Sequence, residues 1–94
     1  MLLRRTSRRS NRDKTVLEVA DVIERFLKGR SLYPQEWNDF VDRSQKNRIV
    51  DAYRKRCYEL DPLVNRPGEP DPDAVAELQK MISTLRQSDM DDKT

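Results

Sequence analysis

Residues 15–29 read TVLEVADVIERFLKG, and this stretch decides the fold. Val16, Ala20, Ile23 and Leu27 recur at helical spacing. Val19, Val22 and Phe26 widen that stripe to an apolar arc of about 160° at 100° per residue. Thr15 and Glu18 have the spacing of a capping box, in which each side chain satisfies the other's backbone N–H. Asp21–Arg25 and Glu24–Lys28 are expected i,i+4 pairs on the wet arc, and Gly29 is the expected stop. An arc this wide suits a helix gripped by two neighbours. It places residues 15–28 centrally in the core.

Three further helices follow from the same reasoning. A short one is expected over 34–42, with Pro34 at the first helical position and Glu36 in the first turn, where the dipole favours a carboxylate. Trp37, Phe40 and Val41 share its apolar face. A third is expected over 45–60, with Ile49, Val50, Tyr53, Cys57 and Leu60 on one face. Arg54, Lys55 and Arg56 point in three directions about 100° apart, as on a solvated surface. Residues 61–72, DPLVNRPGEPDP, hold four prolines and form a stiff connection, with Pro67-Gly68 suited to a type II turn. The last helix is expected from Pro72 or Asp73 to Arg86, N-capped by Asp71, with Ala74, Val75, Leu78, Met81, Ile82 and Leu85 facing inward. No segment alternates as a half-buried strand does. The fold expected is therefore all-α: a small bundle of three or four helices with a proline-rich connection before the last, built around Phe26, Trp37, Phe40, Tyr53 and Leu78.

Composition narrows the function. The chain has 94 residues, 38% of them charged and 35% hydrophobic, which allows one small domain. No apolar run approaches the roughly 20 residues needed to cross a bilayer. One cysteine gives no internal disulfide, and the absence of histidine removes the commonest general base and metal ligand. Two glycines, Gly29 and Gly68, make no phosphate-cradling loop. Cys57 lies on an apolar face with no histidine to activate it, so it reads as a small buried hydrophobe. Glu36, Asp39 and Asp42 read as solvated charge on a short helix. The expectation is a non-enzymatic protein with no cofactor and no metal.

Charge is unevenly spread. Residues 1–14 hold six basic residues and one acid; the remaining eighty hold thirteen basic and sixteen acidic residues. The chain thus divides into a disordered basic arm (1–14), a helical domain (15–86) and a disordered acidic tail (87–94). The arm reads as a solubilising tail, a phosphate-contacting segment, a targeting segment or a kinase-readable stretch.

Two functional readings remain. The first is a cytoplasmic protein-interaction module, an adaptor, inhibitor or subunit, with an unknown protein partner and homo-oligomerisation left open. The second is a nucleic-acid-binding accessory domain. In that reading helices two and three, parted only around Arg43-Ser44, resemble a helix-turn-helix. Gln45, Arg48 and Lys55 would face bases and phosphates, and Arg4, Arg5, Arg8 and Arg9 of the arm would enter a groove. Against it stand the acids of the preceding helix, which would have to cross the phosphate backbone. The net negative charge of residues 15–94 weighs the same way.

Trp37-Asn38-Asp39-Phe40, followed by Cys57 in the next helix and a Leu-rich amphipathic last helix, resembles a loose group of short uncharacterised bacterial helical proteins. The resemblance spans residues 20–60. It implies a soluble, cytoplasmic helical domain and carries no activity.

Overall fold

The computed structural model describes residues 13–92. They form four helices: α1 Val16–Leu27, α2 Glu36–Asp42, α3 Arg48–Val64 and α4 Pro72–Asp92. No strand occurs among the described residues. The chain is a small all-α bundle. All of the expected basic arm except Asp13 and Lys14 lies outside the described residues.

α1 lies along α4 and also meets α2, so it is gripped from two sides. Val19, Ala20, Val22 and Ile23 are fully buried, together with Trp37, Phe40, Val50, Cys57, Leu78 and Leu85 of the other three helices. Phe26 and Tyr53 are partly buried against that core. Each large aliphatic side chain closed off in this way contributes about 1.5–3 kcal/mol relative to exposure.

The ends of α1 form as expected. Thr15 and Glu18 make the reciprocal capping box at 2.9 and 3.1 Å. At the other end Gly29 takes φ +69°. Its N–H bonds the Phe26 carbonyl while the Arg30 N–H bonds that of Arg25, the paired bonds of a Schellman motif. Asp71 caps α4 through the Ala74 N–H at 3.0 Å. Gly68, at φ +85°, supplies the left-handed residue of the connection.

Other boundaries move. α2 begins at Glu36, and Pro34 lies in the turn before it. α3 begins at Arg48 because the Asn47 side chain caps it, accepting from the Ile49 and Val50 N–H groups. The connection between α2 and α3 is therefore residues 43–47, longer than a helix-turn-helix spacing around Arg43-Ser44. α3 also runs past Leu60 to Val64, with Pro62 inside it. A proline this close to the helix end leaves only the carbonyl of Tyr58 without its usual donor, at a residue that is itself exposed. The connection is shortened accordingly, and the Asp71 N–H ties its far end back to the Leu63 carbonyl. α4 continues to Asp92, so the expected boundary at residue 86 falls inside a helix.

Charged residues also find different partners. Glu24–Lys28 forms at 3.2 Å, but Arg25 turns to Glu36 and Asp21 turns to Arg86 of α4. Arg54, expected on a solvated surface, is buried and donates to the Val41 carbonyl at 2.9 Å and to Asp51 at 3.0 Å. Ile49, expected in the core, is exposed.

Candidate functional site

A recess with an aromatic wall lies where the C-terminal end of α1, the loop 28–35 and the start of α2 meet the end of α3. It is an open cleft of about 480 Å³. Its back wall is Phe26 and Trp37, whose rings stack with centroids 4.1 Å apart and planes 12° from parallel. Phe40 supports Trp37 from behind at 6.3 Å. Leu32 and Tyr33 form the outer rim and are 71% and 46% exposed. Asn38 and Asn65 also line it.

The loop is held in shape by a buried carboxylate. Glu36 is only 4% exposed and grips the Arg25 guanidinium with both oxygens, at 3.1 and 2.7 Å. The same carboxylate accepts the Leu32 N–H at 3.0 Å. Burial pushes the Glu36 carboxyl up, but Arg25 and the Leu32 N–H together outweigh it and hold it below the ordinary value. The exposed position of Leu32 is thus fixed from beneath. Burial, and then the neighbouring Asp39 carboxylate, push the Tyr33 hydroxyl above its usual pKa.

A relay of polar groups orders Asn38 and Asn65. The Trp37 Nε1–H donates to Asp61 at 2.6 Å. Asp61, an acceptor only, draws the Asn65 amide nitrogen toward itself at 3.2 Å, and that nitrogen also donates to the Asn38 Oδ1 at 3.3 Å. The Asn65 Oδ1 and the Asn38 Nδ2 have no hydrogen-bond partner among the described residues.

The surface anticipated for nucleic acid looks different. Arg4, Arg5, Arg8 and Arg9 lie outside the described residues. Arg48 and Lys55 are exposed on α3, with Lys55 3.8 Å from Asp51. Gln45 does not join them. It is 7% exposed, outside the helix, accepting from the Lys14 N–H and donating to the Arg43 carbonyl. Immediately before α3, where a phosphate would dock at a helix N-terminus, the Asp13 carboxylate already accepts the Lys46 and Asn47 N–H groups at 3.0 and 2.8 Å. Those two N–H groups hold the Asp13 carboxyl below its ordinary pKa.

Cys57 is fully buried, 4.0 Å from the Met81 sulfur, and burial pushes its thiol up to about 12. Among the described residues no helix is long and apolar enough to cross a membrane, and no group of three or more His, Cys, Asp or Glu is placed to hold a metal ion.

Sequence reasoning assigned Trp37 and Phe40 correctly to the core. It passed over Leu32 and Tyr33. The signal was present: two large apolar residues in a short loop between a glycine stop and the next helix. Comparison of the chain with protein-family models, with curated proteins and with solved structures finds no match.

Proposed function

We propose that this chain is a small, non-enzymatic, cytoplasmic protein-interaction module that binds its partner at the Trp37 cleft. One observation carries the reading: Leu32 and Tyr33 stand out in solvent on a loop that the Arg25–Glu36 pair ties down, beside an aromatic recess. Exposing large apolar groups on a fixed scaffold costs solvation and gives nothing to folding, whereas it suits an anchor for association. The acids around the recess support binding rather than catalysis, since Glu36 and Asp61 are each engaged by internal donors. A free, buried Cys57 is compatible with a reducing compartment.

Nucleic-acid binding is the weaker reading, because Gln45 faces inward and Asp13 occupies the helix start. Site-specific photo-crosslinking in cells that make the protein tests the choice. A crosslinker placed at Leu32 should capture a discrete protein adduct, while one at Tyr58, exposed elsewhere on α3, should not. Adducts confined to positions 48 and 55, or made to nucleic acid, would overturn the proposal.

A further inference from the structure

We infer that the Trp37 cleft is covered in cis by this chain's own N-terminal segment: Met1, Leu2 and Leu3 seat in the recess, and the arginines behind them lie along the acidic face of α2. The inference rests on the reading of the cleft as the contact surface. It goes further by giving that surface an internal occupant, which a partner must displace.

Reach comes first. Asp13 holds the Lys46 and Asn47 N–H groups and the Lys14 N–H donates to Gln45, so the point from which residues 1–12 depart is tied to the connection after α2. α1 runs from this tie to the cleft: Thr15 follows Lys14, and Phe26 lines the cleft. Eleven residues of helix put the two about 17 Å apart. Ten residue steps separate Leu3 from Asp13, and extended they span up to about 33 Å. The segment reaches the cleft with length to spare.

Chemistry then matches along the length. The segment is sharply divided: residues 1–3 are all apolar, while residues 4–12, RRTSRRSNR, hold five arginines and no acid or apolar residue. The surface is divided in the same way. No charged residue lines the cleft among the described residues, and Phe26, Leu32 and Trp37 give it an apolar wall. Beside it, α2 turns Asp39 and Asp42 to solvent, three residues apart and so neighbours on one face. Asp39 lies against the Tyr33 hydroxyl, at the cleft rim, and Asp42 has no ion-pair partner among the described residues. Arginines from residues 4–12 supply the missing counterions, and only the apolar tip suits the recess.

The tether makes so small a contact sufficient. Three apolar side chains and a few exposed ion pairs bind weakly as a free peptide. Attached to the domain, they face the cleft at an effective concentration in roughly the mM range, enough to cover it and weak enough to be displaced.

A nitroxide on the full chain tests this. The label is attached at Thr6→Cys, which leaves the tip intact; the native Cys57 is fully buried and stays unlabelled. At low ionic strength the label should broaden the NMR signals of the Trp37 indole N–H and the Leu32 amide. That broadening should fall at least about threefold in 1 M salt, where charges are screened beyond about 3 Å. Asp39→Asn/Asp42→Asn should lower it similarly with circular dichroism unchanged, as should Leu2→Ser/Leu3→Ser. The serine pair should also raise capture by a crosslinker at Leu32, because the partner no longer competes with the tip. Absent broadening, or broadening that survives both double variants, would overturn the inference. So would equal broadening of an isotope-enriched, unlabelled chain mixed with a labelled, unenriched one, which would make a second copy the occupant. If the label never reaches the cleft while crosslinking at Leu32 still captures a protein, the cleft remains the contact surface and only its internal cover falls. If the label reaches it and nothing is captured even from the serine pair, the partner reading falls and the cover stands.

Discussion

At one end of the bundle, the connection 43–47 is stitched to two other segments, residues 13–14 and α3: Asp13 takes the Lys46 and Asn47 N–H groups, Gln45 takes that of Lys14, and Asp51 takes that of Gln45. Arg54 reaches up from α3 to the end of α2. At the other end, the connection 28–35 is tied at its start by the Schellman bonds and in its middle by the Glu36 carboxylate, and it leaves Leu32 and Tyr33 largely in solvent beside a cleft. The first arrangement satisfies the backbone of a loop and closes it. The second fixes a loop in order to present side chains. Polar groups serve both, so the number of hydrogen bonds does not tell the two apart; what matters is whether apolar surface is left uncovered when they are made.

The largest effect should come from removing the ring that walls the open end. Trp37→Ala deletes a buried ring stacked on Phe26 and leaves Asp61 without its indole donor. It should destabilise the domain by about 3–5 kcal/mol, read from urea denaturation followed by circular dichroism. A loss below about 1 kcal/mol would mean the ring is not part of the core.

Next comes the closed end alone. Arg54→Ala leaves the Val41 carbonyl and one Asp51 oxygen without their guanidinium, in a site almost shut off from water. The expected loss is about 2–3 kcal/mol. Arg54→Lys keeps the charge but cannot serve both acceptors with a fork, so it should recover only part of that loss. Full recovery would show that charge, and not geometry, closes this end.

Much of the scaffold was legible because its signals are local. Thr15, Glu18 and Gly29 mark both ends of α1, Asp71 marks the start of α4, and the stripes through Ile23 and Leu78 name the core. The polar fastenings were not legible, for a common reason. Glu36, Gln45 and Arg54 read as surface residues because a charged or amide side chain is buried only if a distant segment brings its partner. Lys14 lies 31 residues from Gln45 and Arg25 lies 11 from Glu36. Periodicity within one helix carries no information on such pairs. α3 starts three residues later than the apolar face through Val50 and Leu60 suggests, because the Asn47 side chain caps it and periodicity does not mark a cap. The cleft inherits this pattern: its aromatic wall could be read from α1 and α2, whereas the exposed rim depends on the Glu36 fastening.

Acid should loosen both ends. Asp51 is held below its ordinary pKa by the Gln45 N–H and then by Arg54, Asp13 by the Lys46 and Asn47 N–H groups, and Glu36 by Arg25 and Leu32 against the effect of burial. For carboxylates depressed in the folded state, the stabilisation is complete above their unfolded pKa, near 4. It is lost as pH falls through the folded values, because the unfolded chain takes up protons first. Stability measured by urea denaturation should therefore be flat near neutrality and fall below about pH 4. Asp51→Asn should remove the share of the closed end from that slope, and Glu36→Gln the share of the open end. An acid slope unchanged in both variants would show that neither fastening titrates with folding.

The smallest effect on stability belongs to the rim, and it is the sharpest test of the contrast. Leu32→Ser removes an apolar side chain already in water, while the Leu32 N–H that binds Glu36 belongs to the backbone and is retained. Urea denaturation should show a change within about 0.5 kcal/mol of zero. The same substitution should abolish capture by a crosslinker at Tyr33, because the anchor is lost while its support stays in place. Stability and association then separate at one residue, which a purely structural loop would not permit. If Leu32→Ser instead cost as much as Arg54→Ala, Leu32 would be part of the folding core in solution, and the two ends of the bundle would be the same kind of structure after all.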